Sequence, residues 1–224
     1  MKPLNKLNEA TLASGELLEL WERDSQYSLL LDGIQVASSF SHGSDDSMAE
    51  LATAPVRRAN QPTFLIGGLA LGFQLAALIA ENPKEKANFV VAEPSPALVE
   101  WQSKHLDSLH PGLMHDPRVT VESRPVLQVA RKSSKNFHAI LLRSLHDRCQ
   151  MSVAEASDYS AALKQGGLLL ILLARKDTRL ERTLQRAAFD VSTCSVPANH
   201  KGKQTRFHTI VLARKGRFVP FANR

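Results

Sequence analysis

Thr63 to Glu93 constrains this chain more than any other stretch. Phe64, Leu65 and Ile66 form a short, continuous apolar run that ends in Gly67 and Gly68, the pattern of a strand buried on both faces of a parallel sheet. Gly72 follows. Glycines placed where a strand hands over to a helix let the backbone take positive φ and let a ligand approach the main chain. Leu71 to Ala80 is almost wholly apolar, which predicts a helix packed against the sheet. Phe89 to Ala92 is a second apolar run, and Glu93 then puts a carboxylate at the C-terminal edge of the next parallel strand, where a ribose hydroxyl pair would be held. Strand, glycine turn, helix, strand and acid together make the nucleoside-binding half of a doubly wound sheet. Gly67, Gly68, Gly72 and Glu93 are therefore the candidate cofactor contacts. The plainer alternative is that the glycines serve only close packing and that Glu93 caps a helix starting near Ser95.

The rest of the chain limits what this unit can belong to. At 224 residues there is room for one α/β domain with a sizeable core and a small appendage. An apolar content of 43% and a charged content of 22% are those of a soluble globular protein, and no run approaches the length a membrane span needs. The N-terminus has no apolar segment after its lysines, so we expect no secretory signal and a cytoplasmic protein. Cys149 and Cys194 are too few and too far apart for a disulfide framework or a zinc site, and no metal is expected. A net charge of +6 permits a polyanionic partner without demanding one.

Residues 1–16 are polar and without periodicity and read as a loosely held lead-in. Three strands are then predicted, Leu17 to Trp21, Tyr27 to Leu31 and Ile34 to Ser38. The last two are joined by Asp32-Gly33, a strong hairpin signal because both positions need positive φ. Ser44 can cap a helix running through Met48 to about Ala59. Beyond Glu93, helices are predicted over Pro96 to Leu109, Val126 to Arg131, Val153 to Leu163 and Lys176 to Ala187. Gln165-Gly166-Gly167 reads as the stop of the third of these. The strands between them are Arg118 to Glu122, Phe137 to Leu142 and Leu168 to Leu173, with Ala188 to Ser195 and Phe207 to Ala213 as a closing antiparallel pair. The division is thus a lead-in and β-meander over 1–40 and a Rossmann-like domain over 41–224.

This order, with a glycine turn after the first core strand and an acid after the second, resembles the class I S-adenosylmethionine-dependent methyltransferase fold. The leading meander with Leu31-Asp32-Gly33-Ile34-Gln35, the helix carrying Glu50, the Gly67-Gly68 turn, Glu93 and Leu163-Lys164-Gln165-Gly166-Gly167 resemble its spermidine synthase (aminopropyltransferase) branch. The resemblance implies a seven-stranded α/β sheet and an S-adenosylmethionine or decarboxylated S-adenosylmethionine cofactor. It also implies a small-molecule acceptor, a possible place in polyamine biosynthesis, and a homodimer that covers the open strand edges. Gln35 and Glu50, in the region that would lid the pocket, are further candidate cofactor contacts.

The departures fall where the chemistry would sit. The family's turn aspartate is replaced in the stretch Leu69-Ala70-Leu71, the tyrosine of the first helix by Met48, and the acid after the third strand by Ser123-Arg124-Pro125. Arg143 stands where the family's catalytic aspartate follows the fourth strand, with His146 and Asp147 the nearest candidates for a general base. A polyamine is a multiply charged cation, and like charges about 4 Å apart cost on the order of 1 to 4 kcal/mol at surface-like dielectrics. Aminopropyl transfer is therefore disfavoured. Methyl transfer needs little from the protein beyond in-line positioning. The leading expectation is a methyltransferase, with an aminopropyltransferase and a catalytically silent protein acting through an interface as alternatives. His42 is a weaker candidate base. The basic residues Arg175, Lys176, Arg179, Lys201, Lys203, Arg206, Arg214, Lys215 and Arg217 could track phosphates, but only Phe207 and Phe218 lie among them for stacking.

Overall fold

A computed structural model describes residues 3–144, 149–199 and 206–216. The chain begins with a four-stranded antiparallel meander, β1 (Asn5–Thr11), β2 (Leu17–Arg23), β3 (Gln26–Leu31) and β4 (Ile34–Ser38), paired in sequence order. Its tight turns are set by residues in left-handed conformation: Asp24 and Ser25 (φ 53 and 62) between β2 and β3, Asp32 and Gly33 (φ 48 and 76) between β3 and β4. One face of the meander buries Leu18, Leu20, Leu29 and Ala37 against Leu71, Leu98, Trp101 and Leu106 of the larger layer.

That layer is a seven-stranded sheet built from β5 (Thr63–Gly67), β6 (Asn88–Ala92), β7 (Val119–Glu122), β8 (Phe137–Ser144), β9 (Leu163–Leu173), β10 (Phe189–Pro197) and β11 (Phe207–Lys215). The strands lie in the order β10-β11-β9-β8-β5-β6-β7, parallel except where β11 pairs antiparallel with both β9 and β10. The helices α1 (Gly43–Thr53), α2 (Phe73–Glu81), α3 (Pro96–Lys104), α4 (Val126–Arg131), α5 (Val153–Ala162) and α6 (Thr178–Arg186) connect them. Two apolar clusters result. Phe64, Ile66, Leu141, Leu170 and Leu172 pack with α1 and α2 residues, while Leu65, Ile140, Leu169 and Ile171 pack with α4, α5 and α6 residues. The continuous apolar runs of β5, β8 and β9 follow from this two-sided burial. The sheet is mixed α/β with the Rossmann-like methyltransferase order anticipated from the sequence.

Several boundaries differ from those the sequence suggests. Residues 5–11 are not lead-in but the edge strand β1, with Leu7 and Ala10 packed on the meander core. A register shift between Lys6 and Asn8 breaks the two-residue period that would have announced it. Ser44 does not cap α1. The helix starts two residues earlier, at Gly43 with His42 as N-cap, and the Ser44 hydroxyl instead meets His208 Nδ1 at 3.0 Å. After Thr53 the chain tightens into a 3₁₀ turn, Ala54–Val56, at Pro55. Helix α2 begins at Phe73 rather than Leu71, because Gly72 (φ 84) is its N-cap. The stop of α5 is Leu163, already extended, and Gly166-Gly167 lies inside β9. A Cβ on Gly167 would stand 2.9 Å from the Lys164 carbonyl oxygen, so glycine permits the close pass at which β9 changes register against β8. Asp177 sets the start of α6, its carboxylate accepting from the Arg179 and Leu180 amides.

Candidate functional site

The chain leaves β5 for β6 and β7 on one side and returns to β8 on the other, so the strand order reverses at the carboxyl end of β5. Such reversals open the crevice in which α/β sheets bind ligands. The turn from β5 into α2 occupies this position. Gly68 (φ 92), Ala70 (φ 46) and Gly72 (φ 84) all take left-handed conformation, and Gln102 Nε2 donates to the Ala70 carbonyl at 2.8 Å.

Glu93, at the end of β6, reaches back under this turn. Its Oε2 accepts from the Leu69 amide at 2.9 Å and its Oε1 from the Ser95 amide at 2.8 Å, and the residue is 4% exposed. Burial raises the pKa of its carboxyl, and the two amides oppose that shift. Each oxygen keeps a lone pair for a further donor. The glycines differ in what requires them. A Cβ on Gly68 would meet only Glu93 Oε2, at 3.7 Å, so this is the open face of the turn. One on Gly67 would come within 3.0 Å of Leu142 Cδ2, and one on Gly72 within 2.9 Å of both Gln102 Oε1 and Leu113 Cδ2. Packing by itself already favours glycine at those two. Gly68 and Glu93 together form an edge that fits a ribose: an unobstructed backbone beside a carboxylate with unused acceptor capacity.

On the β4 side of the turn, Arg143 ends β8 and donates to Asp45 Oδ1 in the first turn of α1. Asp45 is 1% exposed, and the recess it shares with Leu69, Ala70, Leu71 and Gln74 measures about 10 Å³, room for about one water. Beyond Arg143 lies a larger cleft of about 350 Å³, lined by Gln35, Arg175, Arg206 and His208 among others. Burial holds His208 below its ordinary pKa, the charges of Arg143 and Arg206 add to this, and Asp45 opposes it. A third cavity, about 560 Å³, lies at the starts of α5 and α6 beside Cys149, Glu155 and Asp177. Burial pushes the Cys149 thiol up to about 11, so it is no ready nucleophile.

The sequence candidates are thus brought together unevenly. Gly68 and Glu93 meet, Gln35 lines the cleft beyond Arg143, and Glu50 is exposed on α1 and lines none of these three cavities. Met48 is fully buried and accepts from Gln74 Nε2. His42 stacks on Phe73 at 4.1 Å and faces Asp46 at 3.3 Å. His146 and Asp147 lie outside the described residues, as do Lys201, Lys203, Arg217 and Phe218 of the basic set. The rest of that set is divided. Lys215 binds the carbonyl oxygens of Ser160 and Leu163, Arg214 that of Gly166, and Arg175 and Arg206 face the cleft. Asp45 was missed. Ser44-Asp45-Asp46 reads as ordinary first-turn acid, and only the fold shows which carboxylate turns inward.

No protein-family model matches the chain, and no curated protein matches it. Solved structures do. A spermidine synthase in complex with the transition state analogue AdoDATO superposes with a TM-score of 0.74 at 16% identity, over 94% of this chain and 72% of that one. The spermidine synthase from Thermotoga maritima gives 0.75 at 17% identity, over 94% and 73%. A methyltransferase from Geobacter sulfurreducens gives 0.54 at 16% identity, over 78% and 79%. The chain has the spermidine synthase-like form of the class I methyltransferase fold.

Proposed function

We propose that this chain is an S-adenosylmethionine-dependent transferase, and within that class a methyltransferase whose acceptor is not a polyamine. The observation that carries the reading is the Gly68–Glu93 edge at the point where the strand order reverses. In this reading Gly68 lets the cofactor lie against the main chain, and the free lone pairs of Glu93 accept the ribose hydroxyls. The turn itself is already fixed by the Leu69 and Ser95 amides, so little ordering remains to be done on binding. The cofactor, when bound, supplies an activated methyl group on sulfonium, and the protein's task is positioning. Arg143 argues against the aminopropyl alternative. It is a cation where a polyamine-activating carboxylate would be needed, and its partner Asp45 is committed to it.

One observation favours the catalytically silent reading instead: the recess between the turn, Asp45 and Arg143 has only about 10 Å³. Calorimetric titration with S-adenosylmethionine, decarboxylated S-adenosylmethionine and methylthioadenosine separates the three. The proposal expects micromolar binding of the first, weakened at least about tenfold in Glu93→Gln, which keeps one acceptor for the turn but loses the charge. Glu93→Ala alone would not suffice, since it also releases the Leu69 and Ser95 amides. Preference for the decarboxylated form would restore aminopropyl transfer. Silence of the folded protein toward all three would leave the non-catalytic reading.

A further inference from the structure

We propose that the cleft between β4 and the ends of β8, β9 and β11 binds a small molecule through an anionic group, a carboxylate or a phosphate, held by Arg175 and Arg206. The cleft, at about 350 Å³, is of the size that takes small ligands. Three arginines line it, Arg143, Arg175 and Arg206, and among the described residues no carboxylate does. Arg143 is engaged by Asp45, which lines the neighbouring recess rather than the cleft. Among the described residues neither Arg175 nor Arg206 has a carboxylate within ion-pair distance, and both are exposed. Among the described residues two arginines thus line the cleft with no acid to neutralise them, and their planar donor forks suit bidentate recognition of carboxylate or phosphate.

The local field points the same way. The pKa of His208, in the cleft wall, is lowered by burial and by the Arg143 and Arg206 charges, against Asp45. Its Nδ1 is already bound to the Ser44 hydroxyl, so the ring serves as a fixed wall. Among the described residues that line the cleft, a polyamine would meet like charge, whereas an anion gains from each of the three arginines. The exposed Gln35 amide on β4 offers a neutral donor and acceptor at the rim.

The cleft shares Ala37, Ser38 and Arg143 with the recess at the glycine turn, so a ligand in it would lie one side chain away from that turn. As a statement about the acceptor class this rests on the transferase reading; as a statement about anion binding it does not.

Titration of the full chain with inorganic pyrophosphate and with citrate, without any nucleoside, tests it. Binding of either in the millimolar range or tighter is expected, and the preferred one tells phosphate from carboxylate. Arg175→Gln with Arg206→Gln should weaken it at least about tenfold, since each guanidinium contributes charge-assisted hydrogen bonds. Arg131→Gln, whose guanidinium binds Asp158 outside the cleft, should leave it unchanged. Both cleft arginines are exposed, so thermal unfolding of the double variant should match the unaltered chain and exclude a folding defect. Equal affinity in the double variant, absence of binding by either anion, or binding of spermidine in the same cleft overturns the proposal. Tight, steeply salt-dependent binding of a single-stranded oligonucleotide that pyrophosphate fails to displace would overturn it in favour of a nucleic-acid track. Because no nucleoside is present, failure to bind S-adenosylmethionine and failure to bind anions are separate results.

Discussion

Glu93 shows how one carboxylate can hold a turn and still be available to a ligand. Its two amide bonds tie the end of β6 to the glycine turn and to the entry of α3, and the buried group would be costly without them. Gly72 does a different job a few residues away. Its φ of 84 belongs to glycine, and its missing Cβ makes room for Gln102, whose amide in turn holds the Ala70 carbonyl. Gly72→Ala therefore combines left-handed strain with overlap against Gln102 and Leu113. We expect a loss of about 2 to 4 kcal/mol, read by denaturant unfolding. Gly68→Ala has the strain but only a 3.7 Å contact with Glu93, and should cost about 1 to 2 kcal/mol. Equal losses at the two positions would contradict the division drawn between the close-packed Gly72 and the open Gly68.

At the scale of elements, the Arg143–Asp45 pair joins the end of β8 to the first turn of α1, 98 residues apart in sequence. The side chains are 16% and 1% exposed, so each charge depends on the other for most of its compensation. The α1 N-terminus adds a favourable field for Asp45. Removing either partner leaves a largely buried charge. Asp45→Ala and Arg143→Met should each destabilise by about 2 to 4 kcal/mol, while the double variant should recover much of that loss. The double-mutant cycle measured by urea unfolding decides it, and additive losses would mean that the pair is not coupled. The strands flanking this contact were legible because β5, β8 and β9 are apolar on both faces and the Asp32-Gly33 turn needs its own residues. Strand β1 was not, because a bulge interrupts its alternation. The extent of β9 was not either, because Gly166-Gly167 looks like a helix stop when its close approach to the neighbouring backbone cannot be seen.

The whole molecule presents a mixed picture of what a sequence discloses about a site. The Gly68–Glu93 edge was readable because it is local, within one strand–helix–strand unit. The cleft was not, because Arg143, Arg175, Arg206 and His208 come from three strand ends and are assembled only by the sheet order. The same fold buries His138 and His208, whose lowered pKa values contribute to its response to acid. His138 on β8 accepts from the Thr63 amide through Nδ1 at 3.0 Å, with Lys164 Nζ 3.5 Å from Nε2. Burial, aided by the Lys164 charge, lowers its pKa from 6.5 to about 4. His208 and His110 are shifted the same way, chiefly by burial. An unfolded histidine takes up a proton near pH 6.5, and folded His138 refuses it until about 4. The stabilisation is therefore complete above 6.5 and is lost as the pH falls toward 4, by up to about 3 kcal/mol for this residue at about 1.4 kcal/mol per unit. Glu93 works in the opposite sense, its contribution declining as the pH rises above 4.5, so it partly masks the trend at the acid end. His138→Asn keeps an acceptor for the Thr63 amide but cannot titrate. Between pH 6.5 and 5 it should flatten the unfolding free energy by up to about 1.4 kcal/mol per pH unit, the linkage of one proton, whatever it does to absolute stability. An unaltered slope in urea melts across that range would show that the acid sensitivity resides in groups other than His138.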